Sequence, residues 1–97
     1  VIKVVAKYKL KPDAREEYLK LARELVLETI SEKGCLYYSI HEDIDDPTNL
    51  AMLEEWVDKE SLDMHNKANS GKEVIRKMKS LRESAEISVY KVIDCYK

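Results

Sequence analysis

The chain has 97 residues, 44% hydrophobic and 37% charged, with a formal net charge of −2. That is enough chain for one domain with a single modest core. The 17 basic residues are scattered among 19 acidic ones without forming a basic face, which argues against nucleic acid or an anionic membrane as a partner. No apolar run approaches the roughly 18 residues of a membrane span. Two cysteines, Cys35 and Cys95, are too few for a disulfide scaffold and lack metal-ligand spacing. The expectation is a cytoplasmic protein with reduced thiols and no signal peptide.

Residues Val1–Leu10 alternate: Ile2, Val4, Ala6, Tyr8 and Leu10 point one way, Val1, Lys3, Val5, Lys7 and Lys9 the other. This is the period of a first strand, and Pro12 ends it, since proline cannot donate to a ladder. Asp13 is then a suitable N-cap, with Glu16 completing a capping-box-like pair. Tyr18, Leu21, Ala22, Leu25 and Thr29 recur at helical spacing, predicting a helix from Ala14 to about Lys33 with Gly34 as its C′ residue. A second strand runs from Cys35 to about Glu42, with Leu36, Tyr38 and Ile40 on one face and Cys35, Tyr37, Ser39 and His41 on the other. Asp45-Asp46-Pro47-Thr48-Asn49 is dense in turn formers and predicts the hairpin loop into strand three.

The stretch Leu50–Asn66, LAMLEEWVDKESLDMHN, brings the candidate chemistry together. It reads as a strand ending at Trp56, a turn at Asp58, and a short helix over Lys59–Lys67. Glu54 and Trp56 share a strand face, and His65 lies on the helix nearest that face. Ala68-Asn69-Ser70-Gly71 breaks this helix; a second piece follows from about Lys72 to Leu81, and a last strand covers Ala85–Ile93. The order is β-α-β-β-α-β, the split βαβ, ferredoxin-like α+β arrangement with helices on one face of an antiparallel sheet. Strand three is apolar on both faces, with Met52 and Trp56 on one and Ala51, Leu53 and Val57 on the other. Helices cover only one of them, so the open sheet face is expected to meet a second copy of the chain.

These residues carry a family likeness. Leu10-Lys11-Pro12 closes the first strand, Gly34-Cys35 and Tyr38 follow the long helix, and Asp46-Pro47 falls in the hairpin. Glu54-Glu55-Trp56 and Asp58 come next, with His65 nine residues beyond the tryptophan. In this ordered set the chain resembles, over its whole length, the antibiotic biosynthesis monooxygenase (ABM) domain, including its quinol monooxygenase branch. The resemblance implies a dimeric α+β barrel with a pocket between helices and sheet in each protomer. It further implies oxidation of small phenolic or quinol-like substrates by O₂ with no metal or flavin cofactor. In one respect the chain departs from that pattern. Relatives often carry a second histidine in a Ser-Pro-His-Phe-like stretch, where this chain reads Asn69-Ser70-Gly71-Lys72-Glu73. Haem-degrading relatives place an asparagine on the first strand, and VIKVVAKYKL has none, which demotes haem as a substrate.

Cofactor-free oxygenation needs a substrate that becomes an electron-rich anion, a base to make it, and a dry pocket. His65 suits the base, since imidazole titrates near neutral pH, although a histidine capping a short helix is the plainer alternative. Glu54, a carboxylate on a covered face, must be paired; it would orient His65, accept a substrate proton, or simply form a salt bridge. Trp56 would wall the pocket or merely fill the core. Tyr38 and His41 are weaker candidates for substrate binding and fall on opposite faces of an ideal strand. The His41–Asp46 run matches no calcium-loop spacing, so no metal is expected. Cys35 has no basic neighbour to lower its pKa, Ser39 has no histidine arrangement for a triad, and there is no Gly-rich phosphate loop. The alternative to an enzyme is a non-catalytic dimeric domain, ligand-binding or stress-associated, that keeps the fold without the chemistry.

Overall fold

The alternation at the start of the chain becomes strand β1 (Ile2–Leu10), and the remaining elements are α1 (Arg15–Thr29), β2 (Cys35–Asp43), β3 (Asp46–Trp56), α2 (Lys59–Asn69), α3 (Glu73–Ser80) and β4 (Arg82–Lys91). The computed structural model describes residues 1–97. The four strands form one antiparallel sheet in the order β2-β3-β1-β4. This is the expected ferredoxin-like α+β fold, its second helical segment divided into α2 and α3 by Ser70–Lys72.

The register shows which side chains share a face. Val4 lies opposite Glu54 on β3 and Val89 on β4, and Ala6 lies opposite Met52 and Ile87; these point toward the helices. Val5, opposite Leu53 and Ser88, points to the bare face. Helix α1 buries Tyr18, Ala22, Leu25 and Thr29, a stripe at three- and four-residue spacing. Two apolar clusters result. One joins Leu10, Tyr18, Ala22, Leu25, Leu50 and Met78, and the other joins Val4, Trp56 and Leu62.

Six local expectations differ from the structure. Helix α2 runs on through Asn69 where the sequence predicts a break from Ala68, and β4 covers Arg82–Lys91 rather than Ala85–Ile93. The other four concern α1, β2 and the β2–β3 turn. Asp13 is not the N-cap of α1: it sits one residue earlier, in the left-handed region at φ 64°, and Ala14 takes the cap without a side-chain hydrogen bond. Aspartate tolerates that conformation better than most residues. Helix α1 stops at Thr29 rather than near Lys33, and the Thr29 hydroxyl donates to the Leu25 carbonyl at 2.7 Å. Residues 30–34 then form a turn that lifts Glu32 off the helical path. In β2, Cys35 pairs with Trp56 and Tyr37 with Glu55, so Leu36 is bulged out and Cys35 faces the helices rather than sharing a side with Tyr37. The β2–β3 turn is only Ile44-Asp45. Pro47, Thr48 and Asn49 belong to β3 as a bulge, because the β2 pairing steps from Leu50 to Asp46.

Helix α2 begins as expected, with the Asp58 carboxylate accepting from the Ser61 backbone N–H at 2.8 Å. Its first turn is seated against Gly34, which has φ +87° and where a Cβ would lie 2.2 Å from Ser61 Oγ and 2.5 Å from Ser61 Cβ. Gly34→Ala therefore combines left-handed strain with overpacking and is expected to cost about 2–4 kcal/mol. Urea unfolding reads this directly; a cost below about 0.5 kcal/mol would show that α2 is not held by this contact.

Candidate functional site

Between the two apolar clusters lies a cavity of about 360 Å³, bounded by the sheet on one side and by residues of all three helices on the other. Val4, Ala6 and Met52 form its floor, and Leu25, Leu62 and Met78 face them. Against this apolar background stand a few polar side chains: Tyr8, Tyr38, Glu54, His65, Asn69 and Arg82.

His65 reaches the cavity because it follows Leu62 by one helical turn on the buried stripe of α2. It is only 4% exposed, yet both ring nitrogens have partners. Nδ1 lies 3.0 and 3.1 Å from the two carboxylate oxygens of Glu32. A carboxylate only accepts, so Nδ1 carries a proton whether the ring is neutral or charged. The Asn69 amide nitrogen is 3.2 Å from Nε2, and with the ring neutral it donates to the lone pair there. Asn69 Oδ1 is then left buried without a hydrogen-bond partner. An amide turned through half a circle would present this oxygen to Nε2 instead, so Asn69 can serve the imidazole in either protonation state.

Glu54 is 8% exposed and accepts from Trp56 Nε1 at 2.9 Å. Burial pushes its carboxyl above the usual glutamate range, with the Trp56 hydrogen bond and nearby His65 pulling the other way. The orienting carboxylate of His65 is therefore Glu32, not Glu54. Trp56 is fully buried behind the cavity rather than along it, its ring 4.6 Å from that of His65. The aromatic wall comes instead from Tyr38, whose ring meets His65 nearly edge-on at 5.6 Å, and from Tyr8. Burial raises the Tyr38 hydroxyl far above the ordinary tyrosine range.

At the other end, the Arg82 guanidinium lies 3.8 Å from the Tyr8 ring centroid and donates from Nε to the Tyr18 hydroxyl at 3.0 Å. Burial pushes the Tyr18 hydroxyl up to about 12, although Arg82 draws it down.

The structure thus brings together His65, Glu54 and Tyr38 of the residues singled out from the sequence. Exposed His41 lies on the opposite sheet face, where a larger depression of about 620 Å³ is bordered by exposed charged residues including Lys7, Glu42 and Glu86. There His41 Nε2 does meet Ser39 Oγ, at 2.5 Å, a pairing the sequence reading did not anticipate; no carboxylate orients the ring, so the pair lacks the third member of a triad. Among His, Cys, Asp and Glu side chains no group of three converges as a metal-binding set, the His41–Asp46 run included. Burial pushes the Cys35 thiol up, away from reactivity. Sequence reasoning missed Glu32, Asn69, Tyr8 and Arg82. Tyr8 had a signal, since it continues the Val4–Ala6 face of β1; Asn69 was hidden because Ala68–Gly71 reads as a helix break, whereas α2 runs on to Asn69 and sets it four residues after His65 on one face.

The chain as a whole is similar to known proteins. The family profile described as Antibiotic biosynthesis monooxygenase matches residues 1–77. Putative monooxygenase YcnE of Bacillus subtilis is 32% identical over 81 residues, spanning 84% of this chain and 85% of that protein. Uncharacterized protein sll1783 of Synechocystis is 32% identical over 94 residues, 96% of this chain but only 64% of the length of that protein. A crystal structure of a conserved protein from Methanosarcina mazei Go1 superimposes with a TM-score of 0.87 at 36% identity, covering 93% of this chain and 90% of the other. No helix is long and apolar enough to cross a membrane. With fold, extent of match and relatives in agreement, the chain belongs to the antibiotic biosynthesis monooxygenase family.

Proposed function

We propose that the protein is a cofactor-independent monooxygenase that oxidises a small quinol-like or phenolic compound with O₂. The observation that carries this reading is a buried imidazole at the wall of an apolar cavity. Its Nδ1–H is fixed by Glu32 and its Nε2 lone pair is held only by an amide that can turn. In the reaction, His65 Nε2 takes the proton of a substrate hydroxyl, Glu32 stabilises the imidazolium, and Asn69 turns its oxygen to accept the new N–H. The ring anion gives electrons to O₂ and one oxygen atom bonds to carbon. A quinol and O₂ thereby yield a hydroxyquinone and water. O₂ takes four electrons, and the two hydroxyl hydrogens and one ring hydrogen are released; one of these stays on the new hydroxyl and the other two leave with the second oxygen as water. The apolar lining keeps bulk water from the anion.

Oxygen uptake by metal-stripped protein, assayed with chelator against a panel of quinols and phenols, tests the reading. Uptake above autoxidation that survives chelator supports it. Uptake at the autoxidation rate alone favours the non-catalytic ligand-binding domain, a reading that draws on both His65 nitrogens being engaged within the protein. We also propose a homodimer through the open sheet face, which carries Val5, Ala51 and Leu53, with Tyr37 44% and Tyr90 55% exposed. A monomer in sedimentation velocity at micromolar concentration would refute it.

A further inference from the structure

Two polar groups of the cavity with unmet hydrogen-bonding capacity lie at separate places, and they differ in kind. On α2, Asn69 Oδ1 is an acceptor with nothing to accept, in a side chain 7% exposed. At the start of β4, Arg82 is a donor with donors to spare. Its Nε is spent on Tyr18, but neither terminal nitrogen makes a hydrogen bond within the protein. None of the seven ion pairs includes Arg82. Lys79, on the same rim, is equally unpaired. A half-buried guanidinium without a counter-charge is costly, and its planar fork matches a carboxylate.

We propose that the cavity takes a small aromatic acid, its carboxylate on the Arg82 fork and its ring hydroxyl at the His65–Asn69 end. This names the substrate class within the function proposed above and rests on that reading only for the fate of the hydroxyl. The polarity of the cavity sets the orientation. Glu54 and the Glu32 carboxylate on His65 repel an anion from one end, while Arg82 and Lys79 attract it to the other. The middle, with Ala6, Met52 and Met78, is flat-ring territory with no polar demand. Glu54 is registered with Val4 and the Arg82 guanidinium stacks on Tyr8. Four residues of strand separate those positions, about 13 Å at the usual rise, so two fused rings bridge the gap better than one.

The test is calorimetric binding under anaerobic conditions, where no turnover intervenes. The probes are a hydroxynaphthoate, with its two substituents at opposite ends of the rings, and the parent naphthol. The acid is expected to bind about tenfold or more tightly than the naphthol. Arg82→Gln removes that preference while leaving the naphthol affinity within about twofold, and Lys79→Gln keeps most of it. Equal affinities in the unaltered protein, or a preference that survives Arg82→Gln, overturn the proposal. The first comparison needs no variant, so a poorly folding Arg82→Gln does not protect it. Tight acid binding without oxygen uptake would uphold the anion site and sink the oxygenase; oxygen uptake with only neutral phenols would do the reverse.

Discussion

His65→Ala is expected to lower kcat for oxygen-dependent turnover by about 10²–10⁴-fold, the usual worth of a positioned general base, with KM changing only a few-fold. The split follows from when the interaction is made. Proton transfer to Nε2 develops in the transition state, whereas the apolar lining holds substrate in ground and transition states alike. Added imidazole, small enough to enter the vacated space, should restore part of the rate to His65→Ala. Because the ring is 4% exposed and packed at a tilt against Trp56, 4.6 Å away, a melting curve must accompany the kinetics, and His65→Asn offers a less disruptive replacement. Turnover that survives both variants in folded protein would remove His65 from the chemistry. Glu32→Gln acts one step back, through the imidazole, so it should shift the pH profile of kcat rather than abolish the rate.

The second large effect is on stability. Trp56→Phe is expected to cost about 2–4 kcal/mol at neutral pH, from lost volume at a fully buried position and from stripping the Glu54 carboxylate of its indole donor. The cost should depend on pH in a definite direction. A carboxyl whose native pKa stands above its unfolded value, as burial makes that of Glu54, binds its proton more tightly in the folded state. Its contribution to stability is therefore lost as pH rises from the unfolded value toward the native one. Removing the indole donor raises the native value further and lengthens that decline. The deficit of Trp56→Phe against the unaltered protein should then stay flat at acid pH and grow only once pH rises past the native Glu54 value of the unaltered protein. In a double-mutant cycle with Glu54→Leu, the pair should cost at least about 1 kcal/mol less than the sum of the single changes. Strict additivity, or a deficit flat in pH, would mean the hydrogen bond contributes nothing.

Much of the fold was legible because its two periods are clean. The Ile2–Leu10 alternation and the Tyr18–Thr29 stripe each survive as β1 and α1. Departures from period were not legible. The Leu36 bulge moves Cys35 across the sheet, and the early end of α1 at Thr29 frees Glu32 to turn. The site was legible to the same depth. Glu54, Trp56 and His65 share one strand-to-helix junction and do lie together, since local geometry is enough to place them. Which carboxylate meets the imidazole was not, because Glu32 and His65 are 33 residues apart and meet only through a turn that helical spacing hides. Arg82 and Tyr18 are 64 apart and leave no local trace at all.

The sheet order also bears on how the chain is made. Of the four strands β1 leaves the ribosome before the others but stands inside the sheet, between β3 and β4. The β2–β3 hairpin, closed by Ile44-Asp45, needs no distant partner and can pair early. β1 can then add to β3, but its other edge waits for Arg82–Lys91. Until β4 emerges, nascent chains would present an unpaired β1 edge to one another, the kind of edge that invites aggregation. The half of the cavity that holds Arg82 is thus the last part of this sheet to take shape.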